Sequence, residues 1–356
     1  MAEASNKEHL LMVSPVPLGP PVMGMFAKRF PDMKVDVYVP EGRSPIPPEK
    51  YKDATIVATY GDYIPKPSDA PHLELLHLFS AGSDQMKDHA VYTESEIPIT
   101  CTSGVHGPQI SELVFMTALT LNHGFGEHYD NQKKKLWPDR HFSEQPFRTR
   151  DLCGQRLGIL GYGSIGRQVA RVGKAMGMDV IAYTHSAKDT PEKRKDQGYW
   201  VPGTGDPDGS FPSAWYHGAD KASLHEFLKQ DIDFLVISVP LTNDTNALLG
   251  AEEFDILSRK QALISNIARG SVIDQPALAD ALKAGKLRGA CLDVTEPEPL
   301  PADDPLWDAP NLVVTPHVAG NSTNYIRRAF ELFMAIVERK MKGERMYNVV
   351  DRKRGY

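Results

Sequence analysis

The stretch from Gln155 to Arg167, Gln-Arg-Leu-Gly-Ile-Leu-Gly-Tyr-Gly-Ser-Ile-Gly-Arg, leaves the chain few folds to choose from. Leu157, Ile159 and Leu160 form a short apolar run, the pattern of a buried parallel strand. Gly161-x-Gly163-x-x-Gly166 follows at once. From Gln168 to Met178, Val169, Ala170, Val172, Ala175 and Met176 then recur at helical spacing. The glycines therefore sit on a strand-to-helix turn. There Gly161 permits the tight turn, Gly163 lets backbone approach a pyrophosphate, and Gly166 lets the helix pack on its strand. The unpaired N–H groups and the dipole at the helix start favour phosphate. A ligand-free glycine turn is the plain alternative, and the flanking strand and helix argue against it.

The rest of the chain supplies the sheets that such a turn needs. Leu10–Val13, Val35–Val39, Thr55–Ala58, Leu75–Leu78 and Ile97–Thr100 read as strands, with Pro98 suited to an edge; Val22–Phe30 reads as a helix. Pro108–Asn122 is a helix apolar nearly all round, expected to be buried on more than one side. Lys133–Thr149 is polar and basic, a surface excursion. A second set of strands follows: Leu157–Leu160, Val180–Tyr183, Phe234–Val239, Ala262–Ser265, Gly289–Asp293 and Leu312–Thr315. A last helix spans Asn324–Met341. Strands alternating with helices predict α/β domains with parallel sheets. Gln197–Lys221 fits no standard connection: it holds five glycines, three prolines, Trp200 and Trp215. It is either a loose surface insertion or, as the tryptophans suggest, a packed one.

At 356 residues the chain can bury two cores. A net charge of -6 gives no electrostatic case for nucleic acid or an anionic membrane. No apolar run approaches membrane-spanning length, and no secretory signal pattern opens the chain. Cys101, Cys153 and Cys291 are far apart and form no zinc pattern, so no metal is expected. So sparse a set fits a reducing, cytoplasmic setting.

Three polar residues each closely follow a strand of the second set: Arg269, Glu298 and His317. Each alone has a dull explanation as surface ion pair, solvated acid or loop cap. In a doubly wound sheet the loops after strand ends meet at one crevice, the one the glycine turn enters, and there the three make a coherent hydride-transfer site.

Gly161–Gly166, Asn266-Ile-Ala-Arg-Gly270, Leu292-Asp-Val-Thr-Glu-Pro-Glu-Pro-Leu-Pro301 and Thr315-Pro-His-Val-Ala-Gly320, in this order, resemble the signatures of the D-isomer-specific 2-hydroxyacid dehydrogenases, nearest their glyoxylate/hydroxypyruvate reductases. Ser80-Ala-Gly-Ser-Asp84 is similar to that family's substrate-carboxylate loop, and Asn348–Asp351 with Tyr356 to its tail. The resemblance implies two doubly wound α/β domains. A Rossmann domain, 107–319, would be inserted in a flavodoxin-like substrate domain formed by 1–106 and 320–356. It implies Arg269, Glu298 and His317 as catalytic residues, with Ala81, Gly82 and Arg269 on the substrate. Cofactor contacts would come from Gly161, Gly163, Ser164, Ile165 and Gly166, from Thr184, His185 and Ser186, and from Val239, Pro240, Ile267, Asp293, His317 and Gly320. The implied substrate is a small 2-keto or 2-hydroxy acid, and the implied assembly a homodimer. Such chemistry needs a guanidinium fork for the carboxylate, an imidazole to pass a proton, and a carboxylate to orient that imidazole and stabilise its charge. Two other readings remain open: a dinucleotide-sensing corepressor, and a formate dehydrogenase-like enzyme, in which glutamine replaces the acid at Glu298.

NAD-specific sites place an acid about 20 residues after the glycine loop, where it bonds the ribose and repels a 2′-phosphate. Here Thr184, His185 and Ser186 stand there, with Lys188, Lys193 and Arg194 following. The missing repulsive element favours NADP, with NAD as the alternative.

Overall fold

A computed structural model describes residues 8–15, 18–42, 44–61, 63–138 and 149–355. The chain divides into two units, one formed by 1–105 with 323–356 and the other by 106–322.

The first unit is built on β1 (His9–Val13), α1 (Pro20–Arg29), β2 (Lys34–Tyr38), β3 (Ile56–Thr59), β4 (Leu75–Leu78), α2 (Ala90–Thr93) and β5 (Ile99–Cys101). All pairings are parallel, in the order β2-β1-β3-β4-β5, the flavodoxin-like arrangement. β1, β3, β4 and β5 are buried along their whole length, which is why they read as unbroken apolar runs rather than alternating ones. β5 begins one residue after Pro98, whose carbonyl accepts from Leu76 N, so the proline adds an acceptor without interrupting the ladder. The tail covers the outer edge of β5: Val350 N donates to Ile99 O, and Asn348 Nδ2 donates to the carbonyls of Cys101 and Ser103. Tyr356 lies outside the described residues.

The second unit runs α3 (Gly107–Asn122), α4 (Phe125–Lys133), β6 (Arg156–Leu160), α5 (Ser164–Ala175), β7 (Asp179–Thr184), α6 (Pro191–Arg194), β8 (Ala214–His217), α7 (Lys221–Leu228), β9 (Phe234–Ile237), α8 (Ala251–Leu257), β10 (Leu263–Asn266), α9 (Gln275–Lys283), β11 (Gly289–Leu292) and β12 (Leu312–Val314). Its seven parallel strands are ordered β12-β11-β10-β9-β6-β7-β8. Numbered from β6, this is the dinucleotide-fold order 3-2-1-4-5-6 with one strand added. Among the described residues no helix is long and apolar enough to cross a membrane.

Three sequence expectations change here. α5 starts at Ser164, inside the glycine motif, not at Gln168, and stops at Ala175, because Gly177 takes a left-handed φ of 80°. Gln197–Lys221 is not a structureless insertion: it contributes β8, the sheet's edge strand. The excursion expected for Lys133–Thr149 is preceded by α4, a helix with no buried residue; 139–148 lie outside the described residues.

α3 is covered mostly by its own unit, with Val114, Phe115 and Ala118 in the core that also holds Leu157, Val169 and Phe234. The chain returns to the first unit in α10 (Tyr325–Met341), where Phe330 and Phe333 pack on Phe26 of α1. Truncating either ring to alanine would cost about 3–5 kcal/mol.

Candidate active site

Because every strand of the second sheet points the same way, all its carboxyl ends lie along one edge. Read along that edge, the strand order places His317 after β12, Asp293 and Glu298 after β11, and Ile267 and Arg269 after β10. Next come Val239 and Pro240 after β9, the glycine loop after β6, and Thr184–Ser186 at the end of β7. The strand order reverses between β6 and β9, the switch point at which such sheets bind ligands.

The glycine loop is shaped by close approaches. Gly161 has φ 96°, and a Cβ there would lie 2.8 Å from the Ser238 carbonyl. A Cβ on Gly166 would lie 2.3 Å from Gly161 O, so only glycine lets α5 start against β6. Ser238 Oγ donates to Gly161 O at 2.6 Å and ties β9 to the loop. Gly163, by contrast, faces open space. That is the cradle a pyrophosphate needs, with the start of α5 behind it. Ser164 and Ile165 occupy the first turn and are half-buried.

Three loops are joined in series on the other half of the edge. The backbone of Gly270 lies so close to Thr295 that a Cβ would meet its carbonyl carbon at 2.0 Å, which sets Arg269 beside the loop after β11. Asn266 Nδ2 donates to Arg269 O at 2.9 Å, and Arg269 Nη1 donates to Ala268 O at 2.8 Å. Thr295 N donates to Glu298 Oε1 at 3.2 Å, and Glu298 Oε2 bonds His317 Nδ1 at 2.7 Å. The His317 and Glu298 side chains remain 50% and 38% exposed, so both can still meet a ligand.

His317 itself has a left-handed backbone, φ 52°, unfavourable for a side-chain-bearing residue by about 1–3 kcal/mol. Asp293 holds it there. Its carbonyl accepts from His317 N at 2.7 Å, and its buried carboxylate accepts from Thr315 Oγ1, Val318 N and Ala319 N at 2.6–2.9 Å. The observed work of Asp293 is to fix the histidine turn. Gly320 O accepts from Gln109 Nε2 at 3.1 Å, anchoring the same turn to α3.

At the end of β7, Thr184 Oγ1 donates to Ser186 O at 2.8 Å, and His185 and Ser186 are exposed. Two basic candidates are engaged elsewhere: Lys193 pairs with Asp189 at 2.8 Å, while Arg194 Nε donates to Lys188 O and its guanidinium lies over Trp215. Ala81 and Gly82 belong to the first unit, in the turn after β4, where Ser80 Oγ donates to Gly82 O at 2.8 Å.

One cluster in the second unit is invisible in the sequence spacing. His225, Glu252 and Glu253 bring potential ligand atoms within 4.8 Å of one another. Lys221 already pairs with both glutamates, and Glu253 Oε2 accepts from Gly250 N at the start of α8, so the group is an ion-paired helix cap.

Residues 115–202 and 206–319 match the D-isomer specific 2-hydroxyacid dehydrogenase, NAD binding domain. A glyoxylate reductase of Korarchaeum cryptofilum is 30% identical over 79% of this chain and 77% of its own length. A D-3-phosphoglycerate dehydrogenase of Methanocaldococcus jannaschii is 29% identical over 85% of this chain, which spans only 53% of that relative. The solved NADPH-dependent glyoxylate/hydroxypyruvate reductase of Sinorhizobium meliloti, in complex with NADP and sulfate, superposes with a TM-score of 0.74 at 26% identity, covering 98% of this chain and 100% of that one. The chain belongs to the D-isomer-specific 2-hydroxyacid dehydrogenase family, and is by that membership an NAD(P)-dependent oxidoreductase of 2-hydroxy acids.

Proposed function

We propose that this protein reduces a small 2-keto acid of the glyoxylate or hydroxypyruvate type, with NADP preferred and NAD the alternative. The observation that carries the reading is the 2.7 Å His317–Glu298 pair, on the sheet edge that also bears the glycine loop. When bound, the nicotinamide supplies the hydride from its own ring. Arg269 holds the substrate carboxylate with its planar fork and polarises the ketone oxygen. Glu298 engages His317 Nδ1, which fixes the tautomer and leaves Nε2 to deliver the proton to the developing alkoxide. Asp293 sets the pose of that imidazole through the backbone. In the first unit, the Ala81–Gly82 turn is the substrate-binding element.

The NADP preference rests on the acid-free Thr184–His185–Ser186 turn. It is supported by the S. meliloti relative, which is NADPH-dependent and was solved with NADP. We further propose a homodimer using the exposed apolar side chains of Met116, Phe125 and Tyr129, and a cytoplasmic setting consistent with three free cysteines. NADPH oxidation with glyoxylate and hydroxypyruvate tests the activity, and no turnover with either would overturn it. A kcat/KM for NADH more than about tenfold above that for NADPH would overturn the cofactor preference.

A further inference from the structure

Between the first two glycines of the loop stands Tyr162, a buried side chain whose partners lie in the segment that the sequence left unexplained. Its hydroxyl donates to Asp206 Oδ2 at 2.7 Å, across 44 positions of sequence. Asp206 is 2% exposed and is itself held by its own turn, accepting from Ser210 N at 3.0 Å and Phe211 N at 3.1 Å. Burial, with the Asp206 carboxylate beside it, pushes the Tyr162 phenol up, so it remains the donor. Trp215 on β8 packs edge-on against the same ring, centroids 4.9 Å apart.

A second set of contacts binds this segment to α5, the helix that the glycine motif opens. Arg167, immediately after Gly166, is 4% exposed. Its guanidinium donates to the carbonyls of Asp206 and Arg194, lies 3.5 Å from Asp196 Oδ2, and stacks over the Tyr162 ring. One residue on, Gln168 Oε1 accepts from Gly205 N at 2.6 Å; one turn on, Arg171 Nη1 donates to Gly205 O at 3.2 Å. Four side chains, Tyr162, Arg167, Gln168 and Arg171, thus enter one segment, and two of them are buried polar groups whose partners lie in it. Connecting two strands requires none of this.

We propose that the Asp196–Ser213 segment is a brace for the phosphate-binding loop, with Tyr162 and Asp206 as positioning residues that pre-order the loop amides before the dinucleotide arrives. Pre-ordering removes a cost that binding would otherwise meet, so the brace tightens dinucleotide binding without touching the reacting atoms. This rests on the dinucleotide reading of the loop, and two measurements separate their failures.

The first measurement is hydrogen exchange of the 161–166 amides in the nucleotide-free protein, comparing wild type with Tyr162→Phe and Asp206→Asn. Ser213→Ala serves as a control, because it removes the Ser213–Asp179 bond from the same segment without reaching the glycine loop. Exchange should speed up about tenfold in the two variants and stay unchanged in the control. The second is kinetic: KM for NADPH should rise about tenfold in Tyr162→Phe, with kcat at saturation and the keto-acid KM within about twofold of wild type. Should Asp206→Asn not fold, Tyr162→Phe, which loses a single oxygen, decides. Loop exchange in Tyr162→Phe equal to wild type overturns the brace. A wild type that turns over no keto acid overturns the reductase reading, while the exchange comparison still decides the brace.

Discussion

His317 and Glu298 are bonded at 2.7 Å while both remain partly open to solvent, an arrangement suited to passing a proton rather than to holding the fold. His317→Ala should lower kcat/KM by about 10²–10⁴-fold, the usual worth of a positioned general acid. Arg269→Ala should fall similarly, chiefly through the keto-acid KM. Glu298→Gln keeps the shape but replaces the carboxylate that orients the imidazole, so kcat should fall while the keto-acid KM changes little. Steady-state kinetics from about pH 6 to 9 checks all three, and near-normal turnover by His317→Ala would remove the proposed proton donor. A different histidine contributes to acid stability. His77 is fully buried, bonded to Thr100 and Thr102 hydroxyls and stacked on Phe333. Burial lowers its pKa from 6.5 to about 3. In the unfolded chain that imidazole takes a proton below about 6.5, whereas in the folded protein it does not until about 3. The unfolded state therefore binds more protons in this window, and stability falls with pH, by about 2 kcal/mol from this group at pH 5. Denaturant unfolding at pH 7 and pH 5 should show that loss in wild type and a smaller one in His77→Gln.

At the scale of elements, the glycine loop separates fold from binding. Gly166→Ala would drive a Cβ to 2.3 Å from Gly161 O and must distort the start of α5, so both stability and nucleotide affinity should fall. A Cβ on Gly163 meets no non-neighbouring atom of the described residues within 4 Å, so the melting temperature of Gly163→Ala should stay near wild type while NADPH binding weakens. Titration calorimetry with thermal melts checks the pair, and unchanged NADPH affinity in Gly163→Ala would argue against a pyrophosphate there. What was legible in the sequence follows the same physics. Strands buried on both faces, such as Ile56–Thr59 and Phe234–Ile237, must be continuous apolar runs and announce themselves. β8 did not, because Ala214–His217 is a half-exposed edge strand among glycines and prolines, and its partner is β7 rather than anything local. The order of Arg269, Glu298 and His317 after successive strands was legible because parallel strands fix where loops emerge. The Tyr162–Asp206 bond was not, since no local pattern marks a pairing across 44 residues. Nor was the role of Asp293 in holding the His317 turn, which depends on backbone amides that any sequence possesses.

For the whole molecule, the open question is what covers its apolar surface. The sequence pointed to α3 as too apolar for a solvated face, but the structure buries most of α3 inside the second unit, against α5 and the sheet. The argument for a partner moves to the side chains left outside. Met116 is 55% exposed on α3, and Phe125 and Tyr129, stacked on each other, are 55% and 48% exposed on α4. Leu136 and Trp137 follow directly and are also exposed. Single exposed apolar residues are ordinary, but these five fall within 22 positions, on two helices in contact and the turn after them, and we propose that they form one docking surface. A second copy of the chain offers the identical patch, and two-fold pairing is the commonest way to cover such a surface. The protein should therefore sediment as a dimer at micromolar concentration, and Met116→Glu with Phe125→Glu should shift it toward monomer by burying like charges against each other across the two-fold. These residues lie outside the active-site loops of the second unit, so the monomeric variant should retain NADPH binding. A wild type that sediments as a monomer would leave this patch without the partner proposed for it.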